Sequence, residues 1–216
     1  MREFDAVIFD MDGVIFDSEK LVMACWKVVA DKYQIPDIED ACRECLGINA
    51  AATVEKMHAR YGADFPYEIY KKEMSELFHS QFDNGRLPMK PGVVELLQAL
   101  KANNKRIALA SSTREAIVKQ ELRDAGILQY FDQVVCGDMV KRSKPAPDIF
   151  EKACECLGVS VKRAYAVEDS YNGIRSAHAA GLHAIMVPDL AEETREMEQL
   201  TECILPSLHD VRDYLL

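Results

Sequence analysis

The chain has 216 residues, with 26 Lys and Arg against 36 Asp and Glu, which gives a formal charge of -10 with its histidines neutral. This length suits one large domain or a domain with an insertion, and 49 % hydrophobic with 29 % charged residues describes an ordinary globular chain with a sizeable core. The acidic balance argues against a protein that holds a nucleic acid polymer or an anionic membrane by counterion release, which needs clustered Lys and Arg. No window reaches the ~20 apolar residues of a membrane span. The first apolar stretch is interrupted by Asp10 and Asp12, too early for a secretion signal. Seven scattered cysteines, an odd number, point to a reducing compartment, and the cytoplasm is the expected one.

In chain order, Ala6–Phe9 is the first of five short runs rich in Val, Ile and Ala that read as buried parallel strands. A long gap follows before the second run at 106–110. Residues from about 19 to 82 carry helical periodicity, with Leu21, Val22, Cys25, Val28 and Val29 on one stripe and Ile69, Met74, Leu77 and Phe78 on another. This predicts a small all-helical domain over 18–87 spliced into a core made of 1–17 and 88–216. The linkers fall at 15–18 and 84–89, the latter carrying Asn84-Gly85 and Pro88 as turn chemistry. From Pro91-Gly92 onward, helices alternate with strands at 106–110, 133–136, 164–167 and 183–187. Ser112-Thr113-Arg114-Glu115 has the form of a capping box, Pro145 and Pro147 open another helix, and Gly181 closes one. The expected fold is therefore α/β, a doubly wound Rossmann-like parallel sheet with an inserted helical domain. Its crevice lies at the carboxyl ends of the strands.

Four polar clusters stand at those ends: Asp10 with Asp12, then Ser111, then Lys144, then Glu168 with Asp169. Each alone reads as a helix cap or a solvated loop; Lys144 alone is surface charge beside Lys141 and Arg142. Together they place four carboxylates in one crevice, which cannot all stay ionised without a cation. An all-oxygen donor set selects a hard divalent ion, and Mg²⁺ is expected. A lysine, the serine hydroxyl at 111 and a helix amino end opening at Ser112 suit a phosphoryl group.

The run Phe9-Asp10-Met11-Asp12-Gly13-Val14-Ile15 resembles the first motif of the haloacid dehalogenase superfamily. Leu109-Ala110-Ser111-Ser112 resembles its second motif, Ser143-Lys144-Pro145-Ala146-Pro147-Asp148 its third and Val167-Glu168-Asp169-Ser170-Tyr171-Asn172-Gly173 its fourth. The resemblance spans essentially the whole chain. It includes the helical cap after the first motif, as in the subgroup with β-phosphoglucomutase and many phosphatases. It implies that Asp10 is the nucleophile and Asp12 the acid and then base, that Ser111, Ser112 and Lys144 hold phosphate, and that Asp10, the Asp12 carbonyl, Glu168 and Asp169 surround Mg²⁺. The implied function is a phosphatase for a small phosphorylated metabolite, a sugar or polyol phosphate or a nucleotide, working as a monomer or weak dimer. A phosphomutase is the alternative. Against it, the cap histidine expected ten residues after the second aspartate is Val22, and the cap loop reads Gly47-Ile48-Asn49-Ala50-Ala51-Ala52 where the mutase carries an arginine. Asn49, Lys71 and Lys72 are the candidate cap contacts. A receiver-like phospho-acceptor fits poorly, because here the acids lead the fold and a cap interrupts it. Cys42-x-x-Cys45 and the Cys154/Cys156 pair read as helix-borne small hydrophobes rather than metal or redox sites.

Overall fold

The computed structural model describes residues 3–216, so Met1 and Arg2 of the expected core lie outside the described residues. Six parallel strands, β1 (Ala6–Phe9), β2 (Arg106–Ser111), β3 (Gln133–Cys136), β4 (Ala164–Glu168), β5 (His183–Met186) and β6 (Cys203–Ile204), form one sheet in the order β3-β2-β1-β4-β5-β6. The two-residue β6 at the edge has no counterpart in the sequence reading, since Cys203-Ile204 is too short to show a pattern.

Helices α5 (Val93–Ala102), α6 (Glu115–Asp124), α7 (Asp148–Leu157), α8 (Tyr171–Ala180), α9 (Arg195–Leu200) and α10 (Leu208–Leu215) cover both faces. The strand alternation sorts them. Val7, Phe9, Ile107, Leu109, Tyr165 and Val167 face α5, α6 and α10, while Ala6, Ala108, Ala110, Ala164 and Ala166 face α7 and α8. The second face is built from methyl groups, so α7 and α8 seat close to the sheet with Phe150 and Ile174 filling the gap.

Between β1 and β2 lie α1 (Ser18–Tyr33), α2 (Ile38–Glu44), α3 (Ala50–Tyr61) and α4 (Tyr67–Phe82). They share a separate apolar cluster of Met23, Trp26, Val29, Ala41, Met57 and Tyr70. Trp26 and Tyr70 meet edge to face at 5.8 Å, and the Tyr70 hydroxyl donates to the Trp26 carbonyl at 2.7 Å. The predicted stripes are rotated slightly. Val28 is 59 % and Ile69 58 % exposed, because the aromatic bulk of Trp26 and Tyr70 takes the inward positions. The two linkers pair with each other: Phe16 bridges Met89, the Asp17 N–H donates to the Pro88 carbonyl and the Lys90 N–H to the Ile15 carbonyl, both at 2.9 Å.

The capping box does not form. Helix α6 starts at Glu115 after Arg114, and the Glu115 N–H is taken by Asp138 Oδ1 at 3.2 Å. Ser112 instead turns its hydroxyl toward the inserted helices and donates to the Gly47 carbonyl at 2.9 Å. Gly181 does end α8 in the left-handed conformation, φ 83°. No helix among the described residues is long and apolar enough to cross a membrane.

Candidate active site

Register builds the crevice. Phe9 stands opposite both Leu109 and Val167, so the residues that follow, Asp10, Ala110 with Ser111, and Glu168, leave neighbouring strands at one level. Lys144 arrives from the segment between β3 and α7 with its side chain wholly buried. Its Nζ donates to Asp10 Oδ1 at 2.6 Å, Glu168 Oε1 at 2.5 Å and the Ala110 carbonyl at 3.1 Å. All three donor positions of the ammonium are used, which offsets the cost of burying it. Burial pulls Lys144 toward the neutral form, but Asp10 and Glu168 outweigh it and hold the ammonium above its ordinary range.

Glu168 is spent on structure. Its Oε2 accepts the N–H groups of Asp169 and Ser170, at 3.1 and 3.2 Å, and the Ser170 hydroxyl at 3.1 Å. The first turn of α8 lies directly on this carboxyl: a Cβ on Gly173 would sit 1.9 Å from it, so only glycine fits. Asp169 is the opposite case. Both of its carboxylate oxygens are buried with no partner, and a Cβ on Gly13 would lie 2.2 Å from one of them.

Asp12 is pinned from two sides, by the Ser18 hydroxyl at 2.6 Å and the Thr113 hydroxyl at 3.2 Å. Ser111 is fully buried, and its Oγ accepts the Thr113 N–H at 3.1 Å. Burial pushes the Asp10 carboxyl up to about 8, the pull of Lys144 notwithstanding. Burial also raises Asp12 against the hydrogen bonds of Ser18 and Thr113, and raises Asp169 well above the carboxylate range, with Glu19 and Glu168 adding to it.

The structure thus brings Asp10, Asp12, Ser111, Lys144, Glu168 and Asp169 to one place and puts Ser112 on the seam with the insertion. Oxygens of Asp10, Glu168 and Asp169 lie within 4.8 Å of one another. The orphaned oxygens of Asp169, the surplus of carboxylates over cations and the all-oxygen donor set fit a hard divalent ion. Four participants escaped the sequence reading: Ser18, Thr113, Glu19 and Asp189. Glu19 is buried with Oε2 unpartnered and is pushed up to about 8 by burial. Oxygens of Glu19, Asp169 and Asp189 form a second group within 4.8 Å. Asp189 stands in the loop after β5, three residues past its end, where the sequence offers a strand-end acid as a signal. Glu19 sits in the first turn of α1, where an acid is expected for dipole reasons and so draws no notice.

The cap candidates resolve otherwise. Asn49 caps α3 by accepting the Ala52 N–H at 3.0 Å, and Lys72 pairs with Glu76 on the surface. Neither candidate metal group includes a histidine or a cysteine among the described residues, and all seven cysteines are free. Burial pushes the Cys42 thiol up to about 12 and the Cys45 thiol to about 11, the opposite of a reactive or ligating pair.

A parallel sheet with an acidic crevice, one buried lysine and a helical insertion after its first strand defines an α/β enzyme of the doubly wound class. The comparisons with known proteins carry this further. The family model described as haloacid dehalogenase-like hydrolase matches residues 7–187, and the chain belongs to that family. It is 34 % identical over 181 residues to the phosphorylated carbohydrates phosphatase of Thermotoga maritima, covering 84 % of this chain and 83 % of that one. It is also 34 % identical over 190 residues to the β-phosphoglucomutase of Bacillus subtilis, covering 84 % and 82 %. Among solved structures, CbbY from Rhodobacter sphaeroides in complex with phosphate superimposes with a TM-score of 0.77 at 27 % identity, covering 96 % of each chain.

Proposed function

We propose that the protein is a Mg²⁺-dependent phosphatase of small phosphomonoesters, a sugar or polyol phosphate or a nucleotide, that works through an aspartyl phosphate. Residues 1–17 and 88–216 act as the catalytic core and 18–87 as the cap. The observation that carries this reading is the division of labour among the carboxylates. Glu168 is consumed in holding Lys144 and the α8 turn, Asp12 is aimed by two hydroxyls, Asp10 gives one oxygen to Lys144, and both Asp169 oxygens are left to face a cation beside the phosphoryl group.

Asp10, Asp169 and the Asp12 carbonyl would hold Mg²⁺, with Glu168 behind them, and the ion would supply charge neutralisation for the anionic substrate. In the first step an Asp10 oxygen attacks phosphorus, the bond to the leaving oxygen breaks, and Asp12 gives that oxygen its proton. In the second, Asp12 takes a proton from water, whose oxygen attacks phosphorus and frees Asp10 and inorganic phosphate. Ser111 and the Ser112 N–H hold the transferring oxygens, and Lys144 stabilises their growing charge.

The phosphatase reading is preferred over a mutase because 47–52 carries no cation and the Asn49 side chain is committed to capping α3. A mutase must clamp a second phosphate there. The test is inorganic phosphate release from a panel of phosphorylated metabolites, with Mg²⁺ and with excess chelator, against Asp10→Asn as the blank. Chelator-sensitive release that needs Asp10 supports the phosphatase; isomerised product without net release would replace it with the mutase.

A further inference from the structure

A cavity of about 410 Å³ lies between the end of α4, the returning linker and the flank of α6, and none of the crevice carboxylates lines it. Its wall is apolar and aromatic, from Phe16, Phe82, Leu87 and Ile117. The polar groups at its rim are mostly committed: Asp83 pairs with His79 Nδ1 at 2.7 Å, and Asp124 accepts from Gln120 at 2.8 Å. Arg86, in the same turn, gives its guanidinium to the carbonyls of Asp83 and Ser80.

Glu121 is the exception. Its carboxylate lines the cavity, Oε2 is shut off from solvent with no hydrogen-bond partner, and no Lys or Arg among the described residues pairs with it. The charges that act on it, Asp12, Asp83 and Asp124, are all acidic and, after burial itself, push its carboxyl up. A half-buried carboxylate with one oxygen closed off and unpartnered, in a field of like charge, favours a cation that the chain itself does not supply.

We propose that this cavity binds a small organic cation, a primary ammonium carried on an apolar body, with the ammonium on Glu121 and the body against Phe16, Phe82 and Ile117. The volume is in the range of small-molecule sites, and the combination of apolar wall and one convergent charge matches their usual make-up. A bare metal ion is the poorer occupant, because Glu121 belongs to neither group of carboxylates close enough to share one. The walls come from α4 on one side and α6 on the other, so an occupant bridges the inserted helices and the sheet domain.

The test uses the full-length protein, uniformly ¹⁵N-labelled and kept in Mg²⁺ so that the carboxylate crevice is not the cation trap. It is titrated with phenethylamine and, separately, with its neutral counterpart 2-phenylethanol. Amide shifts centred on 116–125 and 82–87 are expected with the amine, with binding weakened about tenfold or more for the alcohol and for Glu121→Gln. Ala116→Phe, which fills the cavity from the α6 side without touching the carboxylate, is expected to abolish the shifts and serves if Glu121→Gln fails to fold. Equal binding of amine and alcohol, unchanged amine binding in either variant, shifts centred on the crevice, or no binding at all would overturn the proposal. The readout is binding, so it stands or falls apart from the phosphatase reading.

Discussion

Replacing Lys144 by Met removes the single cation that two buried carboxylates share. The methylene stem is kept in shape, so the loss is one of charge: Asp10 and Glu168 keep their places, 2.6 and 2.5 Å from where the ammonium stood, with side chains 7 % and 0 % exposed. Breaking a buried ion pair by deleting one partner costs about 3–5 kcal/mol. For a chain of this length, unfolding with about 2.1 cal/mol/K per residue, that lowers Tm by about 7–11 °C. Burial already raises the Asp10 carboxyl to about 8, and without the ammonium that pulls it down it rises further, so the penalty is smallest in acid, where Asp10 is protonated with or without Lys144, and grows as pH rises. Scanning calorimetry of Lys144→Met against the parent in chelator at about pH 5 and about pH 8 should show a small deficit in acid and the full one in mild base. Added Mg²⁺ should restore part of it. A shift under about 2 °C at the higher pH, or one that is equal at both, would refute the view that Lys144 is the counter-ion of this pair.

The chelated parent protein should itself lose Tm as pH climbs from about 5 to about 8, because burial holds the Asp10 and Glu19 carboxyls protonated up to about 8 in the folded state; Mg²⁺ should flatten that slope. Asp10→Asn should lower turnover at least about a thousandfold while raising Tm in chelator, as one of several crowded carboxylates is neutralised; phosphate release and calorimetry on the same sample check both. Ser18→Ala removes the 2.6 Å bond to Asp12 and should reduce kcat about tenfold with KM little changed, read from steady-state kinetics. Gly173→Ala would put a methyl group 1.9 Å from the Glu168 carboxyl, and soluble yield with circular dichroism should report a chain that fails to fold or has lost more than about 3 kcal/mol.

Much of this was legible because the sheet is buried on both faces. Runs such as Ala6–Phe9 and Gln133–Cys136 are short and mostly apolar, and helical stretches stand in each of the four gaps between the five predicted strands. The acids, serine and lysine of the crevice were visible for the same reason: parallel strands discharge their next residues at one edge. What periodicity could not resolve is rotation about a helix axis. Val28 and Ile69 fit a stripe as well as Trp26 and Tyr70 do, and only packing of the large rings decides which set turns inward. Ser112 failed as a cap for a related reason. Its spacing to Glu115 satisfies the local pattern, but the Gly47 carbonyl, 65 residues away in sequence, offers the hydroxyl a tertiary partner.

The same limit hides what the start of α1 does, since local pattern shows a helix opening near Glu19 but not what its first side chains touch. Three consecutive side chains there reach into the sheet domain: Ser18 to Asp12, Glu19 to the neighbourhood of Asp169, and Lys20 to Asp189 at 2.6 Å. Lys90 of the returning linker lands on the same Asp189 oxygen at 2.7 Å and on Asp17 at 3.2 Å. One buried carboxylate thus ties both linkers to the loop after β5. Any rotation that lifts α1 must break the Ser18 bond and withdraw Glu19 together, so the aim of Asp12 and the number of carboxylates around Asp169 change in one movement. The position of the inserted helices and the charge state of the crevice are therefore a single coupled variable, set by residues at the root of the insertion rather than at its tip.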